Sequence, residues 1–178
     1  MPRFAALLGS INVGGNQLKM ADLKAALEDA GFANVATVVA SGNVLFDLPE
    51  NASEATEAEI AQMVQYRSGI ASFAFVRSQP ELQAALDENP FVGVGEDKFV
   101  HVHFLERQLA EEAFAKLFTD YAGKGSEKLS GGDRALHVDY AEGVGPSKLT
   151  GDFIGRRLGC RHTARNVRSL RRIIEAMN

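Results

Sequence analysis

Two short glycine–asparagine stretches near the N-terminus contain the residue types that bind small anions. INVGGN spans residues 11–16, SGN spans residues 41–43, and each adjoins an apolar run. Glycine N–H groups, asparagine amides, a serine hydroxyl and a lysine can all donate hydrogen bonds to a phosphate or carboxylate group. The candidate ligand-binding residues are Asn12, Gly14, Gly15, Asn16, Lys19, Ser41, Gly42 and Asn43.

Turn chemistry offers a second explanation for the same residues. Glycine and asparagine adopt positive φ angles readily, and asparagine and serine side chains cap turns without any ligand. INVGGN also matches neither the phosphate-binding pattern G-x-x-x-x-G-K-[ST] nor the dinucleotide pattern G-x-G-x-x-G. A small anionic ligand and a purely structural turn therefore both stay open, and the sequence assigns no cofactor.

The elements that must position these stretches follow a β-α-β-β-α-β order in the first part of the chain. Apolar runs and alternation predict strands at residues 4–13, 35–40, 44–47 and 71–77. Met20, Leu23 and Leu27 recur at helical spacing, and Gly31 is placed to end that helix. Asn51 with Glu54 resembles a capping box for the second helix.

The same order of elements is predicted again in the second part of the chain. A strand at 98–105 and a helix at 109–118 precede a hairpin that turns at residues 131–133, and two further helices follow. Asn166 is the predicted N-cap of the final helix, whose apolar face consists of Val167, Leu170, Ile174 and Met177.

The predicted fold class is α+β, with two tandem ferredoxin-like halves, each a split βαβ unit, in one globular unit. The first half spans residues 1–78 and the second spans residues 97–178, including the basic C-terminal helix. Residues 79–96 form a helical connector that begins with a Ser78–Glu81 capping box and ends at Pro90.

This topology predicts that the two glycine–asparagine stretches meet. In a split βαβ unit the first two strands are parallel, and the third strand runs antiparallel between them. Parallel strands end at the same edge of a sheet, so Gly14 and Gly42 are expected on the same side of the first half. An anion there would also lie near the positive end of the helix that starts at Met20.

Histidines on two later strands indicate a weaker possibility, a zinc site. Alternation places His101 and His103 on one face of their strand, and the apolar opposite face is expected to pack on the helices. His137 and Asp139 alternate in the same way on a neighbouring strand, so all four side chains are predicted to share the face away from the helices. Imidazole and carboxylate groups suit zinc, but no spaced ligand motif accompanies them. A polar sheet face without a metal is the favoured interpretation.

The C-terminal segment is strongly basic. Residues 156–178 contain seven arginines and one glutamate, so this segment carries +6 while the rest of the −4 chain carries −10. The candidate basic surface consists of Arg165, Arg168, Arg171 and Arg172. It could bind nucleic acid, although pairing with acids of the same molecule is the favoured interpretation. The RNA-binding pattern of ferredoxin-like sheets is absent from the RALHVDYA strand.

Composition sets the broad class of the protein. Of the 178 residues, 46% are hydrophobic and 24% charged, which is typical of a soluble globular protein. The single cysteine, Cys160, allows no internal disulfide and indicates a reducing compartment. No run approaches the roughly 20 apolar residues of a membrane span, so a cytoplasmic protein is expected. No nucleophile or paired-carboxylate arrangement can be assigned, and activity on a phosphorylated or carboxylated metabolite therefore stays an open alternative to simple binding.

Four stretches carry a resemblance to a known family. LLGSINVGG, KMADLKAALEDAGF, VVASGNVLF and TARNVRSLRRIIEAM resemble the signature segments of the domain of unknown function 1697 (DUF1697) family, from Phe4 to Met177. The resemblance implies two ferredoxin-like halves and lends no activity. Here Gly9 and Ser10 stand where the typical LLRGINVGG strand has arginine and glycine, and Val167 stands where tryptophan usually follows RN.

Overall fold

The structure is a computed structural model that describes residues 1–9, 18–39 and 42–178. The elements of the first half are β1 (Arg3–Gly9), α1 (Met20–Asp29), β2 (Ala33–Thr37), β3 (Asn43–Asp47), α2 (Glu54–Ser68) and β4 (Phe73–Ser78), followed by α3 (Gln79–Glu88). Those of the second are β5 (Val100–Leu105), α4 (Glu111–Tyr121), β6 (Lys128–Gly132), β7 (Ala135–Asp139), α5 (Gly151–Leu158), β8 (His162–Asn166) and α6 (Val167–Ala176). The predicted order of elements is confirmed in both halves.

The first sheet has the strand order β2-β3-β1-β4, with every neighbouring pair antiparallel. β3 pairs with β1 from Arg3↔Asp47 to Leu7↔Asn43, and it pairs with β2 on its other side. This is the ferredoxin-like arrangement, in which the third strand lies between the first two.

One face of the first sheet packs on α1 and α2. Because side chains alternate along a strand, the even-numbered residues of β1 face these helices. They form a core with Leu23 and Leu27 of α1 and with Ile60 and Val64 of α2. Phe46 lies within this core, with its ring edge-on to Phe32 at a centroid distance of 5.0 Å.

The beginning of α2 corrects one sequence prediction. The capping box is formed by Ser53 and Thr56, not by Asn51 and Glu54, and the Ser53 N–H donates to Thr56 Oγ1 over 3.1 Å. Both pairs have the required spacing of three residues, so spacing alone did not distinguish them. The predicted cap of α3 is confirmed, because the Ser78 N–H donates to Glu81 Oε2 over 2.7 Å.

The second sheet repeats the topology with the order β6-β7-β5-β8. Its helix-facing core joins Leu105 of β5 and Leu136 of β7 to Leu117 of α4 and Ile154 of α5. The residues on the other face of the two central strands are buried as well, including Val100, Val102 and Phe104. Burial on both faces has a consequence for the histidines, described below.

The second hairpin turns two residues later than its glycines indicate. β6 extends through Gly132, and Asp133 and Arg134 form the turn, with Arg134 at a φ of 48°. The two glycines allow side chains of α4 and α3 to approach the strand closely. A Cβ on Gly131 would lie 3.0 Å from the Phe114 ring, and one on Gly132 would lie 2.3 Å from Glu88 Oε1.

Contacts divide the chain into two compact units. One contains Met1–Leu82 together with Arg171–Asn178, and the other contains Gln83–Leu170. Among residues 1–9, 18–39 and 42–178, no helix has the length and apolar character that crossing a bilayer requires.

Candidate functional site

Of the predicted anion-binding residues, the structure describes Lys19, Gly42 and Asn43, and the last two lie near the end of β1. The Leu8 N–H donates to the Gly42 carbonyl over 2.9 Å, and Leu7 is directly opposite Asn43 in the sheet register. The residue that precedes β3 therefore lies beside the end of β1, as the strand order requires. The remaining candidate residues, Asn12, Gly14, Gly15, Asn16 and Ser41, lie outside the described residues, so the meeting of Gly14 and Gly42 stays a prediction.

Asn43 stabilises its own turn. Its side chain is fully buried, and Nδ2 donates to the Val39 carbonyl over 3.2 Å. The Asn43 carbonyl accepts a hydrogen bond from the Val38 N–H, also over 3.2 Å, and Val39 has a φ of 50°. These contacts are what turn chemistry requires, so Asn43 has a structural role whether or not a ligand binds.

Lys19, the lysine among the candidate ligand-binding residues, is exposed. It directly precedes α1, and its carbonyl accepts hydrogen bonds from the N–H groups of Asp22 and Leu23. The Lys19 side chain makes no capping hydrogen bond, and within the described residues no other side chain is seen to cap this helix end. Asp22 in the same turn places a negative charge near the positive helix end, which limits the attraction for an external anion.

Gly9 lies directly opposite Phe73 in the register of β1 and β4. A Cβ added to Gly9 would lie 2.1 Å from the nearest atom of the Phe73 ring, so the ring occupies the space that a side chain at position 9 would need. The backbone is also bonded here, because the Ser72 hydroxyl donates to the Gly9 carbonyl. The arginine typical of the resembled strand therefore has no room at this position while the Phe73 ring stays in place.

The histidine prediction is wrong about which residues share a face. His101 lies opposite Val138 and His103 lies opposite Leu136, and both partners belong to the helix-facing core. His101 and His103 therefore face the helices, whereas His137 lies on the opposite face. Apolar character could not distinguish the two faces of β5 because both are buried.

The zinc hypothesis loses its basis with this correction. Asp139 lies opposite Val100, on the face that His137 shares and the other two histidines do not. In the parts of the chain that the structure describes, no group of three or more His, Cys, Asp or Glu side chains comes together as a metal site.

Three titratable side chains instead form a hydrogen-bonded chain on the helix-facing side, which we call the histidine relay. The Tyr140 hydroxyl lies 3.0 Å from His103 Nε2, and His103 Nδ1 lies 3.1 Å from His162 Nδ1. His162 Nε2 lies 2.9 Å from the Gly151 carbonyl at the start of α5. The relay thus joins β5, β8, the residue after β7 and α5.

Burial favours the neutral form of each side chain in the relay. It holds the pKa of His103 well below the usual range, and the neighbouring imidazoles of His162 and His101 lower that pKa further. Burial also lowers the pKa of His162, although the hydrogen bond to Gly151 opposes this effect. The pKa of Tyr140 is raised, again chiefly by burial, so its phenol keeps its proton.

His137 has a different partner, Glu88 at the end of α3. His137 Nε2 lies 2.8 Å from Glu88 Oε1, and the same carboxylate accepts a hydrogen bond from the Asp133 N–H over 3.1 Å. His137 Nδ1 is buried and has no hydrogen-bond partner among the described residues. Burial lowers the pKa of His137, with Glu88 acting in the opposite direction.

Sequence reasoning did not find Glu88 or His162 as functional candidates. Glu88 lies 49 residues from His137, and His162 lies 59 residues from His103. Neither pair has a local spacing that a sequence pattern could detect.

The basic surface is smaller than predicted because Arg165 is buried. Only 9% of Arg165 is exposed, and its Nη1 donates to Thr163 Oγ1 and to the Ala164 carbonyl, each over 2.8 Å. Burial lowers its pKa to about 10. Arg168, Arg171 and Arg172 are exposed on α6.

Asn166 caps α6 as predicted, since its Oδ1 accepts the Ser169 N–H over 2.8 Å. The buried face of the helix contains Ile173, whereas the predicted Ile174 is only partly buried.

Intramolecular ion pairs account for part of the basic segment. Arg161 pairs with Glu106 over 2.8 Å, and Arg157 pairs with Asp120 over 3.4 Å. Neither Arg168 nor Arg172 has an ion pair with any residue in ranges 1–9, 18–39 and 42–178. Pairing with acids of the same molecule therefore applies to Arg157 and Arg161, which precede α6. It does not apply to Arg168 and Arg172 on α6 within the described residues.

Comparison with known proteins places the chain in a family and a fold. A family model described as "Protein of unknown function (DUF1697)" matches residues 1–137. The solved structure of a conserved bacterial protein from Streptococcus pneumoniae has a TM-score of 0.74 and 22% sequence identity, and the match covers 99% of this chain and 98% of that chain. At this identity the likeness shows a shared fold. No curated protein matches the chain.

Proposed function

Because the chain belongs to the DUF1697 family, whose description assigns no function, we propose a function from its own residues: it binds a small phosphate- or carboxylate-bearing ligand at the INVGGN/SGN edge. The observation that carries the proposal is the 2.9 Å hydrogen bond from the Leu8 N–H to the Gly42 carbonyl. Gly42, the middle residue of SGN, is thereby bonded to Leu8 near the end of β1, and INVGGN follows β1 in the sequence. The reducing compartment that the single cysteine indicates makes the cytoplasm the proposed setting.

The chemistry of the edge favours an anion. The N-terminus of α1 carries a partial positive charge of roughly half an elementary unit, and its first N–H groups lack intrahelical acceptors. The exposed ammonium group of Lys19 adds a full charge at the same helix end. Glycines allow a ligand to approach the backbone closely, and the asparagine amides add neutral donors.

Inorganic phosphate is expected to raise the melting temperature of the protein, because a ligand that binds only the folded state stabilises it. Replacing Lys19 with alanine is expected to weaken phosphate binding about tenfold or more, since a hydrogen bond to a charged group contributes roughly 1.5–3 kcal/mol. Isothermal titration calorimetry of the parent and Lys19→Ala measures this change. Lys124→Ala is the matched control, because Lys124 is an exposed lysine of the other compact unit.

Phosphate and acetate should be titrated in separate experiments to distinguish a phosphate site from a carboxylate site. Equal affinities for the parent and Lys19→Ala, or no binding of either anion at millimolar concentration, would contradict the proposal. An enzyme acting on a phosphorylated or carboxylated metabolite would use the same edge, and turnover of such a compound would identify it.

The exposed arginines of α6 favour one second candidate, nucleic-acid binding. Arg168 and Arg172 have no ion pair within the described parts of the chain, so their charges are available to an anionic polymer. A protein that contacts phosphates through arginines binds nucleic acid with an affinity that falls steeply with salt.

Nucleic-acid binding predicts a loss of affinity when the α6 arginines are removed together. The parent should bind a generic RNA or DNA at low salt, and the variant Arg168→Ala, Arg171→Ala, Arg172→Ala should bind it at least tenfold more weakly. The triple variant Lys124→Ala, Lys128→Ala, Lys148→Ala removes the same charge from exposed positions elsewhere. Fluorescence anisotropy measures all three proteins, and negligible binding by the parent would remove this candidate.

A further inference from the structure

β6 forms one edge of the four-stranded second sheet, and within the described residues it pairs with β7 alone. We propose that this edge binds an extended, basic segment of a partner protein, which adds a fifth strand to the sheet and places an apolar side chain in the groove between β6 and α4. Strand addition is a recurring mode of peptide recognition, in which backbone hydrogen bonds supply affinity and side-chain pockets supply specificity. All the residues concerned belong to the unit formed by Gln83–Leu170.

The backbone hydrogen bonds of β7 show which groups of β6 face outward. Arg134 directly precedes β7, and its carbonyl accepts the Leu105 N–H over 2.9 Å at the end of β5. Because bonding direction alternates along a strand, even-numbered residues of β7 bond to β5 and odd-numbered residues bond to β6. The odd-numbered residues of β7 lie opposite the even-numbered residues of β6. Leu129 and Gly131 of β6 therefore direct their N–H and C=O groups toward the open edge.

The edge of β6 is regular, whereas two other edge strands of the protein are interrupted or capped. β2 contains a register shift, and on β4 the Val76 N–H donates to Glu57 Oε1 over 2.8 Å. β6 instead makes five consecutive pairs with β7 without a shift. Within the described chain, neither Leu129 nor Gly131 has a hydrogen bond to a side chain. Bulges and blocked edges prevent the addition of a strand, so their absence from β6 leaves this edge suited to accept one.

A groove of about 410 Å³ lies between β6 and α4. The residues that line it are mostly apolar or glycine: Leu109, Phe114, Ala115, Phe118, Gly131 and Gly132. A Cβ on Gly131 would lie 3.0 Å from the Phe114 ring, so this ring lies directly beside the strand backbone. Paired residues on neighbouring strands share a face, so a partner residue opposite Gly131 would direct its side chain into the groove.

The charge of the groove favours a basic partner. Of the described residues that line it, Glu111 alone is charged, and it is exposed. Glu111 has no ion pair within the described ranges of the chain. Lys128, the charged residue of β6, lies opposite Asp139 on the sheet face away from the groove. Alternate residues of a strand share a face, so a lysine or arginine two positions from the apolar residue would lie on the side of Glu111.

Fluorescence anisotropy with a set of labelled octapeptides tests the recognition. Each peptide alternates threonine with groove-facing positions, which carry one aliphatic or aromatic residue and a lysine two positions away. Members of the set should bind the parent, and Glu111→Lys should weaken binding about fivefold or more, because an attractive pair of charges becomes repulsive. Replacing the peptide lysine with glutamate should restore binding to Glu111→Lys. Glu112→Lys is the matched control, because Glu112 is an exposed acid of the same helical turn that does not line the groove.

Amide hydrogen exchange of the parent locates the bound peptide without any variant. In the free protein, the outward N–H groups of Leu129 and Gly131 should exchange fast, whereas that of Ser130, which faces β7, should be protected. At a peptide concentration of about ten times Kd, exchange at Leu129 and Gly131 should slow about tenfold and exchange at Ser130 should stay unchanged.

Three results would each overturn the proposal: no binding by any peptide of the set at about 1 mM, equal weakening by Glu111→Lys and Glu112→Lys, or binding that leaves exchange at Leu129 and Gly131 unchanged. A fourth would assign the edge to a second copy of this chain instead. In that case the free parent already protects both amides, and light scattering gives the mass of a dimer.

Discussion

Acidification from pH 7 to pH 5 is expected to reduce the free energy of unfolding by about 2 kcal/mol through His103 alone. Burial and the neighbouring imidazoles keep the pKa of His103 well below its usual range in the folded protein. In the unfolded chain a histidine takes up a proton at about pH 6.5. Below that pH the unfolded state binds a proton that the folded state excludes. The free energy of unfolding is therefore unaffected by His103 above about pH 6.5 and decreases as the pH falls below it.

The other three histidines act in the same direction, because burial lowers the pKa of each of them. The carboxyl groups with lowered pKa, such as Asp47 and Glu106, stabilise the folded state until they are protonated. Their loss therefore occurs in a separate pH range, below about pH 4. Urea unfolding at about pH 7, 6 and 5 measures the change. A free energy of unfolding that is equal at pH 7 and pH 5 would show that the histidines are not buried in neutral form.

Replacing Phe46 with alanine is expected to cost about 3–5 kcal/mol of stability. The Phe46 side chain is 0% exposed and contacts the rings of Phe32 and Phe4 in the core of the first unit. Its removal forfeits apolar burial and leaves a cavity that the β3 backbone, paired on both sides, cannot close.

Tyr66→Ala is the control for this substitution. Tyr66 is an aromatic residue of the same unit, and it is 88% exposed, so its replacement should change stability by no more than about 0.5 kcal/mol. Urea unfolding at about pH 7 compares both variants with the parent. A loss below about 1 kcal/mol for Phe46→Ala, or equal losses for the two variants, would contradict the packing of the first core.

The order of elements and the ferredoxin-like topology could be predicted because their signals are local. Helical spacing after Met20, the cap at Ser78 and the cap at Asn166 depend on residues within one or two turns of each other. Once the β-α-β-β-α-β order is known, the placement of β3 between its neighbours follows from the way such units fold.

The candidate sites could not be predicted to the same extent because they depend on tertiary contacts. Alternation shows that His101 and His103 share a face, but with both faces of β5 buried it does not show which face meets the helices. Arg165 was assigned to the basic surface because it lies in an arginine-rich segment. In the structure it belongs to β8, which extends through Asn166 and buries Thr163 and Arg165 on one side.

The contact of Phe73 with Gly9 makes these two positions mutually dependent. The ring of one residue fills the volume above the other, directly across β1 and β4. A side chain at position 9 would require the Phe73 ring to swing away or a smaller side chain at position 73, and a smaller residue at position 73 alone would leave a gap above Gly9. The effect of a substitution at position 9 is therefore expected to depend on the residue at position 73.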